Sequence, residues 1–293
     1  MDLKRQKKIR LRKFIMFGVC GFFVLVIFLL IGVFAANNFG NEKNIQTPTA
    51  SQHDLSGDLP TREIGHKKDP EYEIATDYSH SNDNSGTRGI IYLTFDDGPG
   101  PYTARLLDIL KANGIKVTFF VTGAGDDSLI RREYDEGHAI GLHTWSHRYE
   151  IVYSSVESYF NDLQLVHDRV FNITGLDSRI IRFPGGSSNL VSARYDNGIK
   201  IMSILTDEVG KRGYTYFDWN VVSGDAGGAT TADEVYNNVT AHLKDGNNVV
   251  LQHDIKDFSV DAVERIISYG KSNGFSFEAL DQNSPTMHHG VNN

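Results

Sequence analysis

The chain has 293 residues, 40% hydrophobic and 23% charged, a globular composition long enough for one large domain or two ordinary ones. Its single cysteine, Cys20, excludes a disulfide framework, so the fold must stand on its core. The net charge of −8 is unevenly placed: the first thirteen residues carry seven Lys or Arg against one Asp, which leaves −14 on the remainder. An acidic body of that kind excludes nucleic acid as a partner held by charge.

In chain order, the basic segment 1–13 precedes Phe14 to Ala36, a run of 23 residues without one charge. At 1.5 Å per residue it makes roughly 35 Å of helix, enough to cross a bilayer's hydrocarbon core. The expectation is an uncleaved transmembrane anchor with its basic flank in the cytoplasm and everything after Ala36 outside. A cleaved signal, with Val33 and Ala35 offering a small-residue site, is the competing reading. Residues 37–87 are polar, rich in Asn, Ser, Thr, Asp and Gly, and lack a sustained apolar period, so they read as a flexible extracellular linker.

From residue 88 short apolar runs alternate with longer amphipathic ones. The expected strands are Ile90 to Phe95, Val117 to Val121, Ala139 to His143, Ile180 to Phe183, Tyr216 to Val221, Val249 to His253 and Phe275 to Leu280. Between them the pattern predicts helices near Thr103 to Asn113, Ser128 to Glu136, Ser155 to Phe171, Ala193 to Val209, Ala232 to Leu243 and Val260 to Ser272, several ending in Gly. This is an α/β domain over 88–285 with a tail over 286–293. Seven strands make a parallel barrel one unit short of the eight-fold type, with an open doubly wound sheet as the alternative.

The polar groups that need a reason fall at the carboxyl ends of these strands, the face where parallel barrels build active sites. In "IYLTFDDGPGP" two adjacent acids, Asp96 and Asp97, meet a Gly-Pro turn. Two like charges there are costly unless their roles are divided. One carboxylate can ligate a cation while its neighbour takes a proton from water. "HTWSH" sets His143 and His147 four apart, so both imidazoles can face one way. With a carboxylate they make a three-ligand site with an open position, the arrangement of hydrolytic zinc. Two imidazoles and a carboxylate also suit cobalt, nickel or iron.

In "RFPGG", Arg182 can pair with the proton-accepting Asp, and the Gly185 amide can face a developing oxyanion. His253, ending "LQH", can be raised in basicity beside Asp218 and protonate a leaving amine, with Trp219 and Leu251 walling a small apolar pocket. Of the other histidines, His53, His66, His80, His288 and His289 fall in linker or tail and read as solvated. His138, His167 and His242 read as surface or helix-end residues.

Taken together, "TFDDGP", "HTWSH", "RFPGG", "FDW" and "LQH" occur in the order of the five motifs of the polysaccharide deacetylase (NodB-homology) family, carbohydrate esterase family four, and residues 89 to 280 resemble that family. The resemblance implies a distorted (β/α) barrel and metal-dependent deacetylation of a polymer, for many membrane-anchored members in Gram-positive bacteria the peptidoglycan of the wall. It implies Asp96 as base, Asp97, His143 and His147 as metal ligands, Arg182 as partner of Asp96, Asp218 as the residue tuning His253, and His253 as general acid. The Gly185 amide would join the metal in binding the oxyanion. Two departures, Thr215 for a fourth-motif Asp and Gly185 for a third-motif Tyr, bear on pocket shape and preferred sugar. The same site could serve an O-acetyl esterase, and a tethered wall-binding module with a relic site is the non-enzymatic reading.

Overall fold

The computed structural model of the protein describes residues 87–293. The expected basic segment, membrane-spanning helix and all but the last residue of the linker lie outside the described residues. Among the described residues no helix is long and apolar enough to cross a membrane.

The order of elements is β1 (Gly89–Asp96), α1 (Thr103–Asn113), β2 (Thr118–Val121), α2 (Asp127–Asp135), β3 (Ala139–Leu142), α3 (Tyr149–Val152), α4 (Val156–Thr174), β4 (Ile180–Ile181), α5 (Ile201–Lys211), β5 (Thr215–Tyr216), β6 (Val221–Val222), α6 (Ala232–His242), β7 (Gly246–His253), α7 (Asp257–Ser272) and β8 (Phe275–Phe277). All pairings are parallel, and seven strands follow one path, β5-β4-β3-β2-β1-β7-β6. The eighth strand, β8, pairs with the start of β1, below the level at which β2 joins it. The sheet is a curled seven-strand half-barrel, close to the expected barrel.

One expected strand is corrected. Tyr216 to Val221 is not a single strand: Thr215 and Tyr216 pair with β4 at one edge, whereas Val221 and Val222 pair with β7 at the other. Phe217 to Asn220 run between the two edges of the half-barrel. The Phe217 amide still bonds Ile181 O (3.0 Å) and the Asn220 amide bonds Val249 O (3.1 Å), so this short crossing is tied at both ends. The helix expected from Ala193 starts instead at Ile201. The Asp196 carboxylate takes up the amides of Gly198 (2.8 Å) and Ile201 (3.1 Å), and Asn197 and Gly198 adopt positive φ, the turn chemistry that holds off the helix.

Alternation along the strands divides the core in two. Ile91, Leu93 and Phe95 of β1 pack outward against the helices, with Leu106, Leu107 and Leu110 of α1 in the same cluster. Tyr92 faces inward with Phe120, Ile180, Phe217, Val249 and Leu280. By the same period Thr94 and Asp96 follow Tyr92 on the inner face. The strand therefore delivers Asp96 to the inside of the barrel mouth.

Candidate active site

Asp96 ends β1 fully inside, 2% exposed. Asp97 follows with φ 72°, a left-handed backbone unusual for a residue with a side chain, and Thr144 and His147 share that property. Among the described residues, three of the five non-glycine positive-φ residues thus lie in two site loops, where the surrounding packing must hold them. For Asp97 the consequence is direct: the chain leaves the strand at this residue, and the second acid is not sent to the opposite face.

Beyond β3 the 144–147 loop is fixed from α4. Asp162 of that helix, buried, accepts the amides of Trp145 (2.7 Å) and Ser146 (2.9 Å) through Oδ1. His143 Nδ1 bonds the Arg182 carbonyl (2.8 Å), which turns Nε2 toward the acids, 3.6 Å from Asp97 Oδ1 and 3.7 Å from Asp96 Oδ2. His147 Nε2 lies 3.4 Å from Asp97 Oδ1. Burial, with the nearby His147, pushes His143 down to about 3, so it is neutral and able to ligate.

Arg182 is completely buried and crosses the barrel interior. Its guanidinium donates to Asp96 Oδ1 (2.8 Å), Thr94 Oγ1 (2.6 Å) and the carbonyls of Phe217 (2.9 Å) and Asp218 (3.1 Å), and lies over the Phe120 ring at 4.2 Å. It joins the base candidate to the crossing segment. Burial raises the Asp96 carboxyl above its ordinary range, while Arg182 and then His253 hold it back.

His253 ends β7, opposite Asp96 in the parallel register, with Nε2 3.9 Å from Asp97 Oδ2. Its partner corrects the sequence expectation. Asp225, in the loop after β6, bonds the His253 ring at Nδ1 (2.9 Å) and the His253 amide (2.8 Å), and Ser259 donates to the same carboxylate (2.6 Å). Burial, the largest influence, pushes His253 down, but the Asp225 hydrogen bond and charge, with Asp96 and Asp97, outweigh it and leave the imidazole at about 9. Burial likewise pushes Asp225 up, and the bond and charge of His253 outweigh it, so the carboxyl lies below its usual range.

Asp218, expected beside His253, faces the other way. Its carboxylate accepts the Ser187 amide (2.8 Å), the Ser187 hydroxyl (2.5 Å) and the His289 amide (2.8 Å). Asp218 fixes the turn after "RFPGG" and the C-terminal segment instead. Of the tail histidines, His289 is partly covered and bonds the Trp219 carbonyl (2.6 Å), whereas His288 is exposed, as expected, and stacks on Tyr216 at 3.8 Å. His138 is also buried, 5% exposed, rather than at the surface. Trp219 packs at the edge of the inner cluster, and Leu251 is nearly buried two residues before His253 on β7. Gly185, at φ 75°, lies in the turn after Arg182.

The donor set fits a divalent cation. One ligating atom from each of Asp97, His143 and His147 lies within 4.8 Å of the others, the only such group among the described residues. Asp97 Oδ1 is buried with no hydrogen-bond partner among them, as a carboxylate reserved for a metal would be.

A family model for polysaccharide deacetylase matches residues 83–201. A peptidoglycan-N-acetylglucosamine deacetylase of Bacillus cereus is 35% identical over 211 residues, 69% of this chain and 72% of that one. The chain belongs to the polysaccharide deacetylase family. Among solved structures, the catalytic domain of peptidoglycan N-acetylglucosamine deacetylase from Eubacterium rectale is 47% identical over 72% of this chain and 96% of that one, with a TM-score of 0.68. A polysaccharide deacetylase from Bacillus cereus is 33% identical over 70% of this chain and 96% of its own, with a TM-score of 0.59. The polysaccharide deacetylase domain described here is therefore an enzyme of a family of metal-dependent hydrolases.

Proposed function

We propose that the protein removes N-acetyl groups from amino sugars of cell-wall peptidoglycan, N-acetylglucosamine first, using a divalent cation held by Asp97, His143 and His147. The observation that carries the chemistry is the division between the adjacent acids: Asp97 has an unpartnered oxygen facing two imidazoles, while Asp96 is bonded to Arg182. Zinc is the first choice of metal, with cobalt, nickel or iron suited to the same donors. When bound, the cation would activate water and polarise the acetamide carbonyl.

The protein's own groups do the rest. Arg182 holds Asp96 by Oδ1, leaving Oδ2 to take a proton from the attacking water. His253, kept protonated by Asp225, gives the Nε2 proton to the departing sugar amine. The Gly185 amide faces the oxygen that gains charge, and Trp219 and Leu251 bound the space for the acetyl methyl. The names of the relatives support peptidoglycan as the polymer. We also propose that residues 14–36 anchor the chain in the cell membrane with the domain outside, which fractionation of cells expressing the full chain would test.

The direct test is acetate release from N-acetylglucosamine oligomers with and without chelator. Release should stop with chelator and return with zinc; release that persists would remove the metal from the reaction. Asp96→Asn should keep its zinc and lose turnover, and a parallel assay on O-acetylated xylan separates amide from ester hydrolysis.

A further inference from the structure

Phe183 to Gly186 form a tight turn in which the Gly186 amide bonds Phe183 O (2.8 Å) and Gly185 has φ 75°. Proline and then a positive-φ glycine at the two central positions are the signature of a type II turn. The peptide joining Pro184 to Gly185 is trans, so its carbonyl and its N–H point in opposite directions. Tyr153, completely buried, donates its hydroxyl to Pro184 O (2.7 Å). That bond pins one edge of the peptide to Tyr153, directly after α3, and sends the Gly185 N–H the other way.

A second tyrosine stands on that turn. A Cβ built on Gly185 would lie 2.4 Å from the Tyr149 hydroxyl and 3.3 Å from the ring carbon that bears it. The hydroxyl thus occupies the space where a side chain at 185 would begin. The Tyr149 ring meets His147 edge-on, centroids 5.8 Å apart, and Tyr153 at 5.5 Å. It is half-buried, and among the described residues nothing bonds its hydroxyl. One side chain therefore touches a cation ligand and the oxyanion turn while keeping a free donor between them.

We propose that the Tyr149 hydroxyl is a second donor to the acetamide carbonyl oxygen, acting beside the Gly185 amide as that oxygen becomes negative. This makes Tyr149 a catalytic residue, and it rests on the acyl-transfer reading above. No atoms move through the tyrosine: its O–H stays bonded and the interaction strengthens as water adds to the carbonyl carbon. Glycine at 185 is required because any side chain there would displace the hydroxyl.

The test compares the full chain with Tyr149→Phe, which keeps the ring and its packing. On N-acetylglucosamine tetramer kcat should fall about 100-fold, the low end of the range for losing an oxyanion donor, with KM nearly unchanged. Zinc content should be unaltered, and acetate, measured by calorimetry on the zinc-loaded protein, should bind several-fold more weakly. Gly185→Ala should cost less in the Tyr149→Phe background than alone, because the clash is with the hydroxyl while backbone strain is common to both. A kcat within twofold of the parent, a loss entirely in KM, or loss of zinc would overturn the proposal. If the parent releases no acetate from the glycan while acetate affinity still depends on Tyr149, the substrate reading fails and the hydroxyl's role stands.

Discussion

Two histidines, His143 buried and His253 partly so, flank the acid pair, and they are driven in opposite directions. His143, at the end of β3, gives Nδ1 to a neutral backbone carbonyl, and burial leaves it near 3. His253, at the end of β7, gives Nδ1 to the Asp225 carboxylate and is held near 9 despite burial. Asp97 stands between them, one oxygen toward each. In the proposed mechanism, what separates a ligand from a proton donor is thus the group behind the ring rather than its distance from the acids. A carbonyl fixes the orientation and leaves the ring neutral, whereas a carboxylate also supplies the charge that keeps a proton on it.

The sharpest way to break the comparison is to remove each ring in turn. His143→Ala should lose both zinc and turnover, whereas His253→Ala should keep its zinc and lose turnover by about 10²- to 10⁴-fold, the usual worth of a positioned acid. Elemental analysis beside steady-state rates decides it, and equal zinc in the two variants would erase the distinction. A smaller effect is expected when the group behind the ring is changed. In Asp225→Asn the imidazole loses its main upward influence, so the alkaline limb of the rate profile, where the acid deprotonates, should move to lower pH. Asp218→Asn should leave that limb in place, since Asp218 does not touch His253.

His138 provides the control without a cation. Its Nδ1 accepts the Val117 amide at 3.2 Å, Nε2 is buried without a partner, and burial lowers it to about 4. The neutral form is the folded form, so stability present above the ordinary value near 6.5 is lost as pH falls toward 4, by about 3 kcal/mol at most. His138→Leu should flatten the fall in melting temperature over that interval. An unchanged slope would mean that other buried groups set the acid limit.

Much of this arrangement was legible in the sequence because it depends on local order. The strand-to-turn passage through Asp96 and Asp97, the four-residue spacing of His143 and His147, and the Gly-ended helices are written in neighbouring residues. The Asp225 partnership was not. It exists because β6 pairs beside β7, with Val222 opposite Leu251, and this pairing carries the "SGD" loop to a histidine 28 residues further on. The split of Tyr216 to Val221 was hidden for a similar reason: four hydrophobic or aromatic residues read alike whether they join one strand or bridge two edges. The signal at Asn197-Gly198 was available, and it would have moved the start of α5. Asp162 left no signal, since one acid on an amphipathic helix looks like solvent-facing charge.

The C-terminal segment carries no apolar period, yet it is stitched to the mouth of the barrel. Met287 O takes the Asp218 amide (2.8 Å), Asn292 donates to Ser188 O (2.9 Å), and Asn293 O accepts the Ser203 amide (2.8 Å). For anyone preparing the domain, a stop codon at position 286, where sequence alone suggests a dispensable tail, would strip the backing from Asp218 and the indole beside it. Such a trimmed protein would report on a damaged pocket while still folding as a barrel.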